Sequence, residues 1–469
     1  MNSIANQAFL ENTVYADIKI GQSARTVRTL SLDDIRAFAA VSGDTNPAHL
    51  DSEYADTTLF HGIIAHGMWG GALISALLGT VFPGPGTIYL EQALHFCLPV
   101  RVGDTLTVTV TVSNKDDQKK HVELDCQVVN QHQNRVLYGM ARVLAPLKKV
   151  RLPAVQAPHI QLFDPEAHLQ HLLSLGEDLS PVRCGIVHPC DVVSLQSAFE
   201  SVRRGLIDPV LIGPEARLRE LAESLGIDLH GIQIESVPHS HAASVRAAEM
   251  AANKQVEALM KGSLHTEEMM HSIVNTPALR TKTRMSHVFR FDVPSYYKPL
   301  LITDAALNIR PNLAEKADII QNAIDFARVM GILTPKVAIL SAVETVTPTI
   351  PSTLDAAALC KMAQRGQIIG GLLDGPLAFD NAISAEAARI KEIESDVAGD
   401  ADILVMPDLE SGNIMCKQLE YLAGATVSGI VLGAKVPIAL TSRADGANAR
   451  TASALLAKVI AHHNRKTPP

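Results

Sequence analysis

The sequence predicts an α+β domain followed by an α/β domain with a largely parallel sheet. Three observations carry this. The 469 residues exceed what one hydrophobic core supports, so two or three domains are expected. Up to about residue 145, apolar residues follow the pattern of antiparallel strands around one buried helix; from about Leu162, strands and helices alternate. Between the two, Pro146, Pro153 and Pro158 punctuate the basic stretch Lys148-Lys-Val-Arg151, which reads as an interdomain connection.

Composition narrows the function classes. Hydrophobic residues make up 47% and charged residues 19%, a globular profile. The net charge of −8 offers no electrostatic reason for a nucleic-acid or membrane partner, so substrate phosphates must be met by local cations. Met1 to Leu10 has no basic n-region with an apolar core, so no signal peptide is expected, and no apolar run reaches membrane-spanning length. None of the six cysteines forms a Cys-x-x-Cys pair; reduced thiols and a cytoplasmic location are expected.

In the first domain, Ser31-Leu-Asp-Asp34 opens a helix as a capping box, Ile35, Phe38 and Ala39 follow at helical spacing, and Gly43 ends it. The next stretch, Ser42-Gly-Asp-Thr-Asn-Pro-Ala-His-Leu-Asp51, is not expected to be a regular helix, because Pro47 lacks an N–H and drives Asn46 toward extended backbone. Such a bend can aim Asp44 and His49 at one point. By themselves they suit a capped turn with a surface histidine better; sharing a water, a carboxylate and an imidazole can hydrate an activated double bond. Met68 to Leu78 reads as a helix buried all round, with His66-Gly67 at its start, where unpaired N–H groups can receive a carbonyl or oxyanion. Leu106 to Val112, Val122 to Val128 and Val136 to Leu144 read as strands, with Asn114 to Gln118 as a hairpin connection. Trp69 and Tyr89 suit pocket walls, and His61 and His66 suit structural roles better than metal ligation, so no metal is expected.

Gly43-Asp44-Thr-Asn46-Pro-Ala-His49, Ala55 and Ile64-Ala-His66-Gly67-Met68 together resemble the MaoC-like, R-specific enoyl-CoA hydratases, over about residues 15 to 145. Ala48 stands where that family usually has a branched aliphatic residue. The resemblance implies a hot-dog fold, a water held and activated by Asp44 and His49, and a thioester carbonyl polarised by the Gly67 N–H. The product would be a (3R)-hydroxyacyl thioester. Asn46 and His66 are expected to line the substrate.

In the second domain, strands are expected at Val182–Val187, Pro209–Gly213, Gln233–Val237, Leu300–Thr303, Lys336–Ala342, Gln367–Leu373, Asp402–Met406 and Gly429–Leu440. Helices are expected between most of them, including a long one from Ser240 to Met260. No Gly-x-Gly-x-x-Gly follows a strand and no Walker motif occurs, so ATP and NAD are not supported. Ligands of such sheets bind at the carboxyl ends of strands. Two stretches qualify: Thr441-Ser442-Arg443-Ala444-Asp445, and Lys261-Gly-Ser263-Leu-His-Thr266 with Arg280, Lys282 and Arg284 beyond it. Asp374-Gly-Pro376 and Pro407-Asp408 read first as turns and caps.

Leu373-Asp-Gly-Pro-Leu-Ala-Phe-Asp380, Met406-Pro-Asp408, Gly412-Asn413 and Thr441-Ser442-Arg443 resemble the phosphate acetyl/butyryltransferases, leaning to the butyryl side. The resemblance implies an isocitrate/isopropylmalate dehydrogenase-like α/β fold. It also implies acyl transfer between coenzyme A and phosphate without metal or acyl-enzyme. Ser442 and Arg443 would bind phosphate or acyl phosphate, and Arg443 would stabilise developing charge. Ser263, Arg280, Thr441 and Asp445 are expected to contact substrate. Acetyltransferases of the family carry an acid where Ala449 stands, and no acidic residue follows Asp445; either Asp445 serves as base instead or the thiol needs none from the protein.

The expected organisation is therefore a MaoC-like hydratase domain at 12–146, a linker at 147–161 and a phosphate acetyl/butyryltransferase-like domain at 162–466. Both halves point to acyl-CoA chemistry. A bifunctional enzyme follows, using coenzyme A thioesters and phosphate as substrates, with no bound cofactor and at least a dimeric assembly. The alternatives are a hydratase with a non-catalytic CoA-binding or assembly domain, and a non-catalytic acyl-CoA-binding regulator.

Overall fold

The computed structural model describes residues 9–154, 163–442 and 445–469. The chain divides into two compact units, Met1–Leu162 and Phe163–Pro469.

The first unit contains, in order, β1 Phe9–Glu11, β2 Ser23–Thr29, α1 Leu32–Ser42, α2 Pro47–Leu50, α3 Ser52–Thr57, α4 Gly67–Thr80, β3 Ile88–Phe96, β4 Thr105–Asp116, β5 His121–Val129, β6 Arg135–Leu144 and β7 Arg151–Pro153. Strands β2-β4-β5-β6-β3 form one antiparallel sheet, and β1 pairs separately with β7. This is the hot-dog arrangement: every second residue of β4 and β5, from Leu106 to Val112 and from Val122 to Val128, packs in one core with Ile74, Leu77 and Leu78 of α4. Two glycines set how closely the helix approaches. A Cβ on Gly70 would lie 2.4 Å from Leu137 Cδ2, and one on Gly71 3.0 Å from Leu94 Cδ1.

The Ser31 capping box and the left-handed Gly43 cap bound α1 as expected; Gly43 has φ 74°. Other expectations need correction. Helix α4 is not buried all round, since Met68 is 57% exposed and Ala72, Ser75 and Ala76 also face outward. The stretch 42–51 does contain helix, the single turn α2, because Pro47 occupies the first helical position, where its missing N–H costs nothing. The β4–β5 connection falls at 117–120, since β4 continues to Asp116. Strands β2 and β3 were not foreseen: both are mostly exposed, so they lack the alternation that a half-buried strand writes into its sequence. Within the expected linker, Arg151–Pro153 forms β7, and Pro158 lies outside the described residues.

The second unit carries β8 Val182–Val187, β9 Ile207–Gly213, β10 Gln233–Ser236, β11 Ala258–Lys261, β12 Ser286–Asp292, β13 Leu300–Thr303, β14 Lys336–Leu340, β15 Leu372–Leu377, β16 Ile403–Val405, β17 Thr426–Leu432 and β18 Ile438–Ala439. They form one sheet in the order β10-β9-β8-β11-β18-β17-β12-β13-β16-β14-β15. The blocks β10-β9-β8-β11-β18 and β13-β16-β14-β15 are each parallel. Antiparallel steps through β17 and β12 join them, so the two blocks run in opposite directions.

Sequence reasoning misplaced several of these elements. The expected long helix stops at Ala252, Lys254 turns the chain at φ 58°, and Ala258–Lys261 becomes a fully buried strand. The strand expected at Gln367–Leu373 runs from Leu372 to Leu377 and takes in Asp374-Gly-Pro376, which is therefore not a turn. Gly429–Leu440 is two strands reversed around Gly433, at φ 78°. Strand β12 escaped notice because it carries charges inward: Arg290 and Asp292 pair at 2.6 Å. Among the described residues, no helix is long and apolar enough to cross a membrane.

Candidate active sites

The first centre is built where α1 ends. Gly43 turns the chain and Asp44 follows at the surface, its N–H donating to Ser42 Oγ at 3.2 Å. Asn46 caps α2 by accepting from the Ala48 N–H at 3.1 Å, which points its amide at the backbone; it holds the turn that presents His49. His49 is 9% exposed and donates from Nδ1 to the Ile64 carbonyl at 2.8 Å. That bond fixes the tautomer, leaving the Nε2 lone pair free to act as a base. His66, 2% exposed, donates from Nε2 to the Asp44 carbonyl at 2.9 Å, and its ring lies 4.0 Å from that of His49. The side-chain donor atoms of Asp44, His49 and His66 all fall within 4.8 Å of one another.

Two imidazoles and a carboxylate are also donor types of a metal site. His66 donates from Nε2 to the Asp44 carbonyl and His49 from Nδ1 to the Ile64 carbonyl, so each ring keeps one nitrogen for a ligand, and His66 Nδ1 has no hydrogen-bond partner among the described residues. The same atoms suit a held water. Beside it stands Gly67, the first residue of α4. The first N–H donation inside the helix is Trp69 to the His66 carbonyl at 3.0 Å, so the Gly67 N–H precedes the helical ladder. A Cβ on Gly67 would sit 3.2 Å from Phe96 Cε1, so the aromatic ring closes over a position that only glycine fills comfortably. Asp44, His49, His66 and Gly67 thus form one site, with Asn46 bracing its backbone.

The second centre forms at the carboxyl ends of β8, β11 and β18. Lys261, buried at the end of β11, donates from Nζ to the Thr441 carbonyl at 3.1 Å. The Ser442 N–H donates to Asp445 Oδ2 at 2.7 Å, so the segment curls on itself. Arg450, 2% exposed, reaches back from the last helix, Ala447–Lys466, to the Ser442 carbonyl at 3.1 Å and the Asp445 carbonyl at 3.3 Å. Two buried carbonyls are thereby satisfied, and a positive charge is fixed beneath the segment. Arg443 lies outside the described residues.

Asp445 is buried; burial raises its carboxyl above the usual range, opposed by the Ser442 N–H and by Lys417. Its Oδ1 is fully enclosed and has no hydrogen-bond partner among the described residues. A carboxylate in that setting braces the segment and is not open to a thiol, so the geometry does not favour it as base. Ser263 turns toward β8, its Oγ donating to the His188 carbonyl at 3.1 Å. Arg280 donates to the Val274 carbonyl at 3.0 and 3.1 Å, closing the helix Thr266–Val274. It also lines a cavity of about 990 Å3 with Lys282 and Arg284, whose described wall includes none of Ser263, Thr441, Ser442 or Asp445. Arg284 is tied to Glu315 at 2.7 Å and to Asn308, so it is not a free cation.

Sequence reasoning missed Arg450, Asp304 and His287. Arg450 reads as one more polar residue on a helix. Asp304, at the end of β13, accepts from the Ala306 and Leu307 N–H groups at 2.8 and 3.0 Å and from the His287 N–H at 3.2 Å. His287 is fully buried, and burial holds its imidazole neutral. The signal available was Thr303-Asp304 directly after an apolar strand.

Comparison with known proteins agrees with this division. A phosphate acetyltransferase of Rhizobium meliloti is 54% identical over 295 residues, covering 63% of this chain and 93% of that protein. The chain belongs to the phosphate acetyl/butyryltransferase family. That family's model matches residues 237–457, and the model of MaoC-like domains matches residues 16–133, so the family member here carries a MaoC-like domain ahead of its transferase domain. A branched-chain phosphotransacylase from Enterococcus faecalis aligns at TM-score 0.52 and 27% identity, covering 60% of this chain and 99% of that one. An R-hydratase from Pseudomonas aeruginosa is 44% identical, at TM-score 0.32, covering 33% of this chain and 99% of that one.

Proposed function

We propose that the chain is a bifunctional acyl-CoA enzyme that hydrates short trans-2-enoyl-CoA in its first unit and transfers acyl groups between coenzyme A and phosphate in its second. The observation that carries the hydratase half is the convergence of Asp44 and His49 at the open start of α4. Asp44 and His49 Nε2 share the attacking water. The Gly67 N–H receives the thioester oxygen as negative charge builds on it, which stabilises the enolate. One proton of the water passes to this pair, its oxygen bonds to the β carbon, and a proton returned to the α carbon completes the addition. With both groups on one side of the substrate the addition is syn, and the resemblance to R-specific hydratases implies the (3R) product.

In the second unit, phosphate sits on the Thr441–Ser442 segment at the start of the last helix. One of its oxygens attacks the thioester carbonyl, the thiolate leaves, and acyl phosphate forms. Lys261, bonded to the Thr441 carbonyl, and Arg450, bonded beneath it, place positive charge near the dianion. The Arg280–Lys282 cavity offers cations and volume for the nucleotide end of coenzyme A. No bound cofactor or metal enters either step. Strand β3, an edge strand with Ile88, Leu90 and Phe96 exposed, suits pairing with a second copy. We place the enzyme in the cytoplasm, where its substrates occur.

The test is one preparation assayed twice. Full-length protein should hydrate crotonyl-CoA and should release coenzyme A from acetyl-CoA or butyryl-CoA only when phosphate is present. Hydration without phosphate-dependent release would leave the second unit as a binding or assembly domain.

A further inference from the structure

Outside both centres, a cavity of about 210 Å3 lies in the second unit between the first turn of the last helix, Leu169 and Leu172 of the helix Pro165–Ser174, and strands β12 and β17. Its strand residues Arg290 and Ser428 are register partners, on the face that packs Val288 and Ile430 into the core with the last helix. His287, Phe289 and Gly429 alternate onto the other face. The cavity is therefore on the opposite side of the sheet from His287 and Asp304.

We infer that this cavity binds a short-chain carboxylate. One end is polar and short of partners. Ser428 is 2% exposed, and its Oγ has no hydrogen-bond partner among the described residues. Arg290, 6% exposed, commits one nitrogen to Asp292 at 2.6 Å and lines the cavity. The helix Ala447–Lys466 opens there with no side-chain cap and no acid in its first turn. A hydroxyl, a guanidinium and uncapped N–H groups together select an anion.

Arg290 and Asp292 neutralise each other, and Lys417 neutralises Glu420 at 2.6 Å, so the carboxylate is met by N–H and O–H donors and not by a net charge. His168 stands 3.8 Å from Asp292. The other end is apolar, walled by Leu169, Leu172 and Ala452. The space takes a short-chain acid and is too small for a nucleotide. Such acids are what acyl phosphates give on hydrolysis.

Calorimetric titration of butyrate into the full-length protein, with saturating phosphate present, tests this without turnover, so its outcome is independent of the transferase reading. Butyrate should bind, 1-butanol and octanoate should bind at least tenfold more weakly, and Ser428→Ala should weaken butyrate about tenfold through the lost hydrogen bond. Ser428→Thr, which keeps the hydroxyl, should retain affinity; wild-type selectivity carries the test if Ser428→Ala does not fold. No heat with butyrate would mean a water-filled cavity. Affinity unchanged in Ser428→Ala, octanoate binding equal to butyrate, or butyrate displaced by phosphate would each overturn the assignment.

Discussion

The two units assemble their centres in opposite ways. In the first, Asp44, His49, His66 and Gly67 come from one short run of chain, and a helix end, a single turn and a helix start bring them together. In the second, the contact that defines the centre, Lys261 to Thr441, joins residues 180 positions apart. A local centre is fixed by caps and turns, whereas a distributed one depends on the register of a whole sheet. The first should therefore fail through single side chains and the second through its supports.

The sharpest break of this contrast is Asp44→Asn, which should lower crotonyl-CoA hydration by about 10^3-fold or more while leaving phosphate-dependent release of coenzyme A unchanged. Retained hydration would remove Asp44 from its role. Next is Arg450→Met, which touches no substrate yet frees the Ser442 and Asp445 carbonyls. It should raise the phosphate KM about 10- to 100-fold with hydration intact, and Arg450→Lys should recover part of the loss. An unchanged KM would mean the segment holds itself.

His66→Gln asks whether the local centre also has a support. Loss of the bond to the Asp44 carbonyl should cost about tenfold in hydration, read as kcat with little change in KM. His287 carries a pH signature confined to the second unit. Burial depresses its folded pKa to about 4, below the ordinary 6.5, so the unfolded chain takes up a proton that the folded chain refuses. Stability should fall as pH drops from about 6.5 toward 4, by at most about 1.4 kcal/mol per pH unit. His287→Gln should flatten that slope in denaturant melts, and a slope unchanged by the substitution would exclude His287 as its source. The smallest effect belongs to Ser31→Ala, which removes a cap from α1 and should cost the first unit about 1 kcal/mol in the same melts.

The same contrast explains what was legible in the sequence. The Asp44–His49 turn and the Gly67 helix start are written in adjacent letters, as are the buried faces of β4 and β5. Strands β2 and β3 were not legible because exposure on both faces leaves no period, and β12 because Arg290 and Asp292 neutralise each other inside the fold. The position of Ser442 at a strand end could be read, but not Arg450 beneath it, since a buried arginine and a surface arginine look alike on a helix. Arg280 was legible as a cation, but its closure of a helix was not, because that depends on where the Val274 carbonyl falls.

The missing side chains at Gly70 and Gly71 act as a depth stop for the Gly67 N–H. The gap between helix and sheet is set there by contact with Leu137 and Leu94, and Gly67 rides on the same rigid rod one turn earlier. A single methyl at position 70 would have to displace the Leu137 side chain or lift the rod from the sheet, carrying the Gly67 N–H with it. The height of the Gly67 N–H above the sheet is thus gauged by two hydrogen atoms that face the core.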